Sequence, residues 1–471
     1  MSGYLSRSQL SKEDTWRWRT FSIGAMIGLV FGAFYVGIPT ITGALMTKPL
    51  QLLPIPWVDL TRNTESVLPA TPTGFVTDLG AIISGFVVPF WACMGGLIMA
   101  ITSLFLNPWL YRHGYLHRWK PGMGTIETSF QNSIDFYFSV GIGVALAVAA
   151  IGIYTTIYTA LAASRQRREE MKAAGETPRN FWQVPPGRGD TPAWFWYCLA
   201  AFIVSTIAYV ALCGVLVPRF PLFWVVFFGF VFTPLNSYID ARMQGLTGQW
   251  VGIPMVKEAV IIFSGYKGVD IWFAPIPNFD LGGTAKRFRV LELVGCRFTD
   301  LIWAELTIMP ITIFCSLLFW EFVWHLAPIP SVHYPYAQKM WYLSALQRGL
   351  WMTATLDTER TPMFIQAWNR SRMFGGMAFG LLSYFILSRL RLPTLLVYGV
   401  MRGLGTLPHF IFPEAIGAFI SQFYFIPRFG ARRWKQYATV LAAGYGCGTG
   451  LIGMGTVALA MITKSVSTMP Y

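Results

Sequence analysis

The segment 234–346 places many ionisable side chains within or beside apolar runs. Such side chains at membrane depth cost several kcal/mol unless they are paired or hydrated, and by default they mark a path for a solute or a proton. A cytoplasmic or interfacial loop with ordinary charge pairs would produce the same pattern. The residues that could form such a path are Asp240, Arg242, Lys257, Glu258, Tyr266, Lys267, Asp270, Asp300, Glu305, Glu321 and His325.

Three of these candidates have chemistry that depends on their neighbours. Glu321 and His325 are i,i+4 neighbours, and a carboxylate beside an imidazole can relay protons, although an interfacial pair that caps the span has the same spacing. Glu305 lies inside the apolar run LIWAELTIMPITIFCSLLF. If it is unpaired there, desolvation favours its protonated form and suits it to carry a transported proton. A structural pair with Lys257 or Arg242 would instead keep it charged.

Glycine, proline or charge interrupts two further apolar segments, 251–277 and 394–407. The interruptions predict broken or re-entrant pieces, which are tolerated only where protein or a water-filled cavity satisfies the backbone. In the second segment, the glycines and Pro408 could open a cavity beside Arg402, or Arg402 could pair with Glu414. Asp135 stands near a predicted helix start, where a contact with the helix dipole explains it as well as a function does.

The composition requires a bilayer as solvent. The chain has 471 residues, of which 54% are hydrophobic and 12% charged, and its mean hydropathy is +0.49. The net charge of +14 comes from Lys and Arg that concentrate at span ends and loops, where orientation signals and lipid headgroups require them, so nucleic acid is not an expected partner. The six cysteines contain no CxxC pair and lie mostly in apolar runs, which predicts neither a metal site nor a disulfide framework.

The apolar runs have the length of membrane helices. A hydrocarbon core of ~30 Å requires about 20 residues of helix, and the sequence therefore predicts an all-α, polytopic integral membrane bundle of about 9–12 membrane helices with broken or re-entrant segments. The continuous candidates lie near 18–46, 78–107, 131–163, 192–217, 219–239, 299–327, 371–392, 408–426 and 436–463.

The whole chain, 1–471, reads as one membrane domain without a sizeable soluble part. Its predicted divisions are N-terminal helices (17–163), a polar loop (164–191) and C-terminal helices (192–471). Basic residues around the first three spans divide almost evenly between the two sides, so they do not fix the orientation. An extra crossing between Asp78 and Arg112, where Pro89 breaks the run, would return the polar loop to the cytoplasm.

Motifs for nucleotide, zinc or haem chemistry are missing from the sequence. The glycine run 444–456 lacks the Lys of a Walker A loop and lies in the final apolar span, so it predicts close helix packing. HExxH is absent, and of the five histidines only His325 and His409 lie near membrane depth. The sequence therefore predicts neither an enzyme nor a bound cofactor.

Segment 234–346 resembles the oligopeptide transporter superfamily, including its prokaryotic branches. The residues that carry the resemblance are NSYIDARMQGLTGQ, PMVKEAVIIFSGYKGVDIWFAPIP, KRFRVLELVGCRFTDLIWAEL and FWEFVWHLAPIPSVHYPYAQKMWYLSAL. A weaker likeness extends over 107–143. The resemblance implies proton-coupled symport of oligopeptides or metal chelates.

The sequence thus predicts a secondary transporter for small peptides or a related polar solute. The alternative is a non-transporting subunit or scaffold of a larger membrane complex, which the chain's short length for that family favours. The expected partners are membrane lipids and a small-molecule solute, with further copies of the chain or partner subunits as additional candidates. The expected location is a prokaryotic inner (plasma) membrane.

Overall fold

The computed structural model describes residues 15–46, 49–173, 192–247, 255–326, 328–331, 334–356 and 363–466. Within these ranges the chain is almost entirely helical. The helices there that are long and apolar enough to cross a bilayer number eight, and they are Thr15–Gly43, Phe90–Arg112, Thr125–Thr155, Trp196–Leu216, Leu222–Ala241, Thr299–His325, Pro408–Phe429 and Ala431–Leu459. The protein is an all-α polytopic integral membrane bundle, as the sequence predicts.

In chain order the helices are α1 (Thr15–Gly32), α2 (Ile38–Leu45), α3 (Thr61–Thr64), α4 (Leu79–Val87), α5 (Phe90–Arg112), α6 (Thr125–Asn132), α7 (Phe138–Ala173), α8 (Pro192–Leu216), α9 (Leu222–Phe227), α10 (Thr233–Thr247), α11 (Val256–Phe263), α12 (Gly282–Val294), α13 (Phe298–Leu326), α14 (Pro335–Met352), α15 (Met363–Ala367), α16 (Arg370–Arg389), α17 (Leu395–Gly405), α18 (Pro408–Ile420), α19 (Ile426–Phe429) and α20 (Ala431–Val466). Single π-helical turns join α1 to α2, α6 to α7, α9 to α10 and α18 to α19. The predicted span 371–392 forms α16, but its glycines, serines and Arg372 lower its hydropathy and leave it outside the eight.

The chain divides into two compact units. The first comprises Met1–Val144, Leu318–Arg348 and Gln366–Tyr471, and the second comprises Ala145–Leu317 and Gly349–Ile365. In the first unit, glycines bring α1 and α20 to backbone contact. Gly24 and Gly28 of α1 face the backbone of Leu441 and Tyr445, and Gly444 faces α1 in return. The glycine run of the last span therefore serves close helix packing, as predicted.

Two helix pairs of the first unit are interrupted at prolines. α4 ends just before Pro89, and α17 ends just before Pro408, because proline lacks the N–H of the helix ladder and disfavours helical geometry in the residue before it. With 9 and 11 residues, α4 and α17 are about 14 and 17 Å long, roughly half of the bilayer core. The broken segment predicted for 394–407 is confirmed, and α4 is too short to be the extra crossing considered between Asp78 and Arg112.

The two pairs are antiparallel hairpins, the first formed by α4 and α5 and the second by α17, α18 and α19. The long helix of each hairpin packs against both helices of the other: α18 runs antiparallel to α5 and parallel to α4, and α17 runs parallel to α5. For α5 with α18 the contacts that fix the direction are Phe90–Phe419 and Cys93–Glu414. For α4 they are Ile82–Gly417 with α18 and Phe86–Phe425 with the π-helical turn after α18, and for α5 with α17 they are Gly95–Leu396 and Met99–Gly403. The hairpins are therefore interleaved.

The segment between α2 and α4 folds against the start of α18. Strand β1 (Trp57–Asp59) pairs antiparallel with β2 (Gly74–Val76), with Trp57 opposite Val76. The Trp57 ring is buried and lies 4.8 Å from the ring of His409. This small sheet therefore holds the connecting segment against the second hairpin.

The second unit contains the broken segment 251–277, described from residue 255 onward. Its helix α11 ends at Phe263, and the chain then passes through Gly265, with φ of +71°, into a single 3₁₀ turn at Asp270–Trp272. Ile261 and Ile271 are buried in one apolar cluster. The prediction that this segment is not one straight membrane helix is confirmed for its described residues.

Candidate functional site: a polar cavity at the turn of the second hairpin

A polar cavity of about 60 Å³ lies in the first unit between α5, α6 and the turn of the second hairpin. Gly403, Leu404 and Pro408 line it at that turn, and Pro72 reaches it from the segment between the two strands. A volume of this size holds roughly four waters. The polar side chains that line it are Ser103, Asn107, Ser129, Asn132, Tyr137 and Thr406.

Hydrogen bonds order most of these side chains. Tyr137 donates its hydroxyl to Asn107 Oδ1, and Asn132 donates Nδ2 to the carbonyl oxygen of Ala70 at 2.6 Å. Ser103 donates to a backbone carbonyl at 2.7 Å, and Thr406 does so at 2.9 Å. Within the described part of the chain, Asn132 Oδ1 is buried without a hydrogen-bond partner. The cavity is thus preformed, and one of the residues that line it carries a buried acceptor with no partner among the described residues.

An ion pair between a half-exposed arginine and a buried carboxylate joins α17 to α18 in the second hairpin. Arg402 Nη1 and Nη2 lie 2.5 and 2.7 Å from Glu414 Oε1 and Oε2, a bidentate arrangement that is the strong form of this interaction. The Glu414 side chain is 8% exposed and that of Arg402 is 50% exposed. Cys93 of α5 donates to Glu414 at 3.4 Å. Of the two alternatives for Arg402, the structure therefore shows the pair with Glu414.

A second polar pocket, of about 210 Å³, adjoins the small sheet of the first unit. Asp59 accepts hydrogen bonds there from the backbone N–H groups of Thr61 and Thr125, at 3.0 and 2.9 Å, and from the Thr125 hydroxyl at 2.8 Å. Partial burial acts to raise the pKa of Asp59, but these hydrogen bonds outweigh it and hold the pKa below its usual value. Asp59 therefore binds the start of α6 as an anion.

Lys339 lines the same pocket. Its Nζ donates to the carbonyl oxygen of Trp57 at 2.9 Å and lies 5.4 Å from the centre of the Trp57 ring. Burial lowers the pKa of Lys339, and the charge of Asp59 partly opposes that shift. Beneath Trp57, His409 is buried with neither ring nitrogen hydrogen-bonded among the described residues. This pocket tethers the segment between the strands to α6, α14 and α18.

Asp135 lies in a cluster of charged side chains. The sequence alone did not decide whether this residue contacts a helix dipole or has a function. Its carboxylate accepts from the backbone N–H of Arg118 at 3.0 Å and pairs with the Arg118 side chain at 3.1 Å and with His117 at 3.4 Å. Asp135 is buried, whereas His117 is largely exposed. The cluster fixes the connection between α5 and α6, which is a structural role.

Glu305 is paired in the structure. Arg287 of α12 donates to it at 3.0 Å, and the two side chains are 68% and 56% exposed, in that order. The expected isolation of Glu305 is wrong, because α12 turns at Gly295 and brings a cation back alongside α13. The pairing partner is also neither of the two that the sequence suggested, Lys257 and Arg242.

The remaining sequence candidates form local contacts. Glu321 and His325 are exposed and lie 2.9 Å apart, and Tyr266 donates to Asp270 at 2.8 Å. Asp300 accepts from the backbone N–H of Arg297 at 3.3 Å. The rest of the set comprises Asp240, which is fully buried, Lys257 and Glu258, which are half-buried, Lys267, which is exposed, and Arg242, whose side chain lies outside the described residues.

The sequence candidates do not include any of the residues that line the polar cavity. Those residues are neutral amides and hydroxyls, which a search for ionisable groups in apolar runs does not find. One signal for them was present: Asn107, Asn132 and Tyr137 all lie within 107–143, the stretch with the weaker family resemblance. Comparison of the chain with protein-family models, curated proteins and solved structures gives no match.

Proposed function

We propose that this protein is a secondary transporter that carries a small polar solute, such as a short peptide or a metal chelate, driven by an ion gradient with the proton as the first ion to test. The single observation that supports it most is the pair of interleaved hairpins, whose short helices α4 and α17 have 9 and 11 residues and are too short to cross a bilayer. Irregular backbone at membrane depth is tolerated where it lines a cavity, and transporters bind their solutes beside such discontinuous helices.

The cavity at the turn of the second hairpin supplies the polar lining that this function needs. Its side chains are neutral and held by hydrogen bonds, so they can exchange partners with a solute or with water at little electrostatic cost. The Arg402–Glu414 pair lies beside the turn and ties its two helices together. In the proposed cycle, movement of this turn opens the cavity to one side of the membrane at a time.

Proton coupling rests on the resemblance to oligopeptide transporters, and Glu305 remains the proposed proton carrier. Its pair with Arg287 lies at the surface of the protein, with side chains that are 68% and 56% exposed for Arg287 and Glu305, in that order. The expected site of action is a prokaryotic inner membrane, and fractionation of membranes from the source cells would test it.

Uptake by purified protein in liposomes tests the transport proposal. With an inward proton gradient and labelled di- and tripeptides, we expect saturable accumulation that disappears when a protonophore collapses the gradient. Empty liposomes are the background control. Thr406→Val at the cavity should reduce uptake, whereas Thr439→Val should not, although both hydroxyls donate to the carbonyl four residues earlier at 2.9 Å. If no peptide or chelate accumulates with any imposed gradient, the scaffold alternative replaces this proposal.

A further inference from the structure

Three of the hydroxyl groups that line the cavity at the turn of the second hairpin donate their protons to other oxygen atoms of the protein. Ser103 donates its hydroxyl proton to the carbonyl of Ala100, and Thr406 donates to the carbonyl of Arg402. Tyr137 donates to Asn107 Oδ1. Each of these hydroxyl oxygens still has lone pairs, so toward the cavity each acts as an acceptor.

Asn132 adds an independent observation. Its side chain is 2% exposed, its Nδ2 is used by Ala70, and its Oδ1 is buried among the described residues without a partner. A buried acceptor without a partner costs about 1–3 kcal/mol, so a donor or a cation that reached this oxygen would be stabilised. Asn132 lines the same cavity as Gly403 and Leu404 of the hairpin turn.

The end of α17 contributes negative potential to the same cavity. Gly403 and Leu404 belong to its last turn, where backbone carbonyls have no N–H partner within the helix. Pro408 cannot supply one, since it has no N–H. The C-terminal end of a helix carries partial negative charge and stabilises cations.

We propose that this cavity binds a monovalent cation, and that the cation is Na⁺. Hard oxygen ligands suit the alkali and alkaline-earth ions rather than soft metals. Calcium and magnesium sites use carboxylates, and the described residues that line this cavity include no Asp or Glu. A volume of about 60 Å³ accommodates an Na⁺ ion with part of its water shell.

This inference goes beyond the proposed transport function. The side chains that form the site already surround the cavity in this structure, and binding of the cation requires no solute. Binding can therefore be measured without transport. If Na⁺ binds and no solute moves, the cation site stands while the transporter proposal fails. If solute moves and Na⁺ does not bind, the transporter proposal stands while the cation site fails.

The test uses full-length protein in detergent, with binding of ²²Na⁺ and the apparent Tm followed at constant ionic strength in NaCl, KCl and choline chloride. We expect saturable ²²Na⁺ binding and a Tm that rises with NaCl, less with KCl and not with choline chloride. Equal Tm values in the three salts, together with no saturable ²²Na⁺ binding, would overturn the proposal and leave a cavity filled by water.

Variants at one position identify the site. Thr406→Val keeps the shape of the side chain and removes its oxygen, so we expect the Kd for Na⁺ to rise about tenfold or more, the equivalent of about 1.4 kcal/mol. Thr406→Ser keeps the oxygen and should bind like the wild type, and Thr439→Val controls for loss of a threonine hydroxyl elsewhere in the first unit. An unchanged Kd in Thr406→Val would show that Na⁺ binds at another place. If that variant fails to fold, the salt series on the wild type still decides whether Na⁺ binds.

Discussion

Replacing Gly417 by alanine should separate the two hairpins. Gly417 lies where α18 meets α4, and a Cβ there would stand 2.9 Å from the carbonyl carbon of Ile82, 3.2 Å from the Cα of Gly85, and closer still to the Ile82 carbonyl oxygen. These neighbours are backbone atoms, which cannot rotate away as a side chain does. The helices must therefore move apart by more than about 1 Å to restore ordinary van der Waals distance to the Ile82 carbonyl oxygen.

The magnitude follows from two opposing effects. Overpacking of this kind costs about 1–3 kcal/mol, while alanine gains about 0.8–1.0 kcal/mol over glycine in a helix, so a net loss of up to about 2 kcal/mol is expected. Gly141 of α7 is the matched control, because a Cβ at that position meets no heavy atom within 4 Å. Gly141→Ala should therefore be neutral or stabilising by up to about 1 kcal/mol.

The assay combines apparent Tm in detergent with the labelling rate of Cys93. The Cys93 thiol is buried between the hairpins against Glu414, so its reaction with a thiol reagent reports on their separation. Gly417→Ala should lower the Tm and accelerate Cys93 labelling, and Gly141→Ala should do neither. If the two variants have equal Tm values and equal Cys93 labelling rates, the interleaved contact between the hairpins is wrong.

Three further predictions concern charged groups. Glu305→Gln should abolish gradient-driven uptake in liposomes while sparing solute exchange, and unchanged uptake would remove this residue from proton coupling. Because hydrogen bonds lower the pKa of Asp59, its contribution to stability is present above the unfolded-state pKa of about 4 and is lost as the pH falls further. Asp59→Asn should accordingly be less stable than wild type at pH 7, and the difference in stability between the two proteins should shrink in acid. A difference in stability that does not depend on pH would contradict this. Arg402→Met leaves the buried Glu414 carboxylate without its cation. Because the Arg402 side chain is half exposed, the cost should be smaller than the value of about 3–5 kcal/mol for a fully buried pair. The double variant with Glu414→Leu should recover part of that loss in a thermal melt, and no recovery would show that the pair is not coupled.

Much of the fold was readable in the sequence. The apolar runs predicted the spans, and Pro89 marked a break between Asp78 and Arg112. The glycine run of the last span predicted close helix packing, but the structure was needed to show that α1 is the partner. The interleaving of the hairpins was not readable. It depends on contacts such as Gly85 with Gly417 between segments far apart in the chain, and local patterns do not contain the pairing.

The site was harder to predict than the fold, for a physical reason. Charged groups in apolar runs are conspicuous, but Glu305 proved to be paired with Arg287 across a chain reversal that the sequence did not reveal. Amides and hydroxyls such as Asn132 and Thr406 are ordinary in membrane helices. They form a site only in the folded protein, where Asn132 and Thr406 donate hydrogen bonds to backbone carbonyls and line the same cavity.

Alternating access of the cavity is the most direct test of the transporter account. Ser103→Cys places a thiol in the cavity lining, and a membrane-impermeant maleimide can be applied to right-side-out and inverted vesicles, with labelling at that position followed by peptide mass spectrometry. In a transporter with this cavity, we expect the thiol to react from one side in the absence of solute and gradient, and from the opposite side when both are imposed. Labelling from the same side under all conditions, or from neither side, would contradict it.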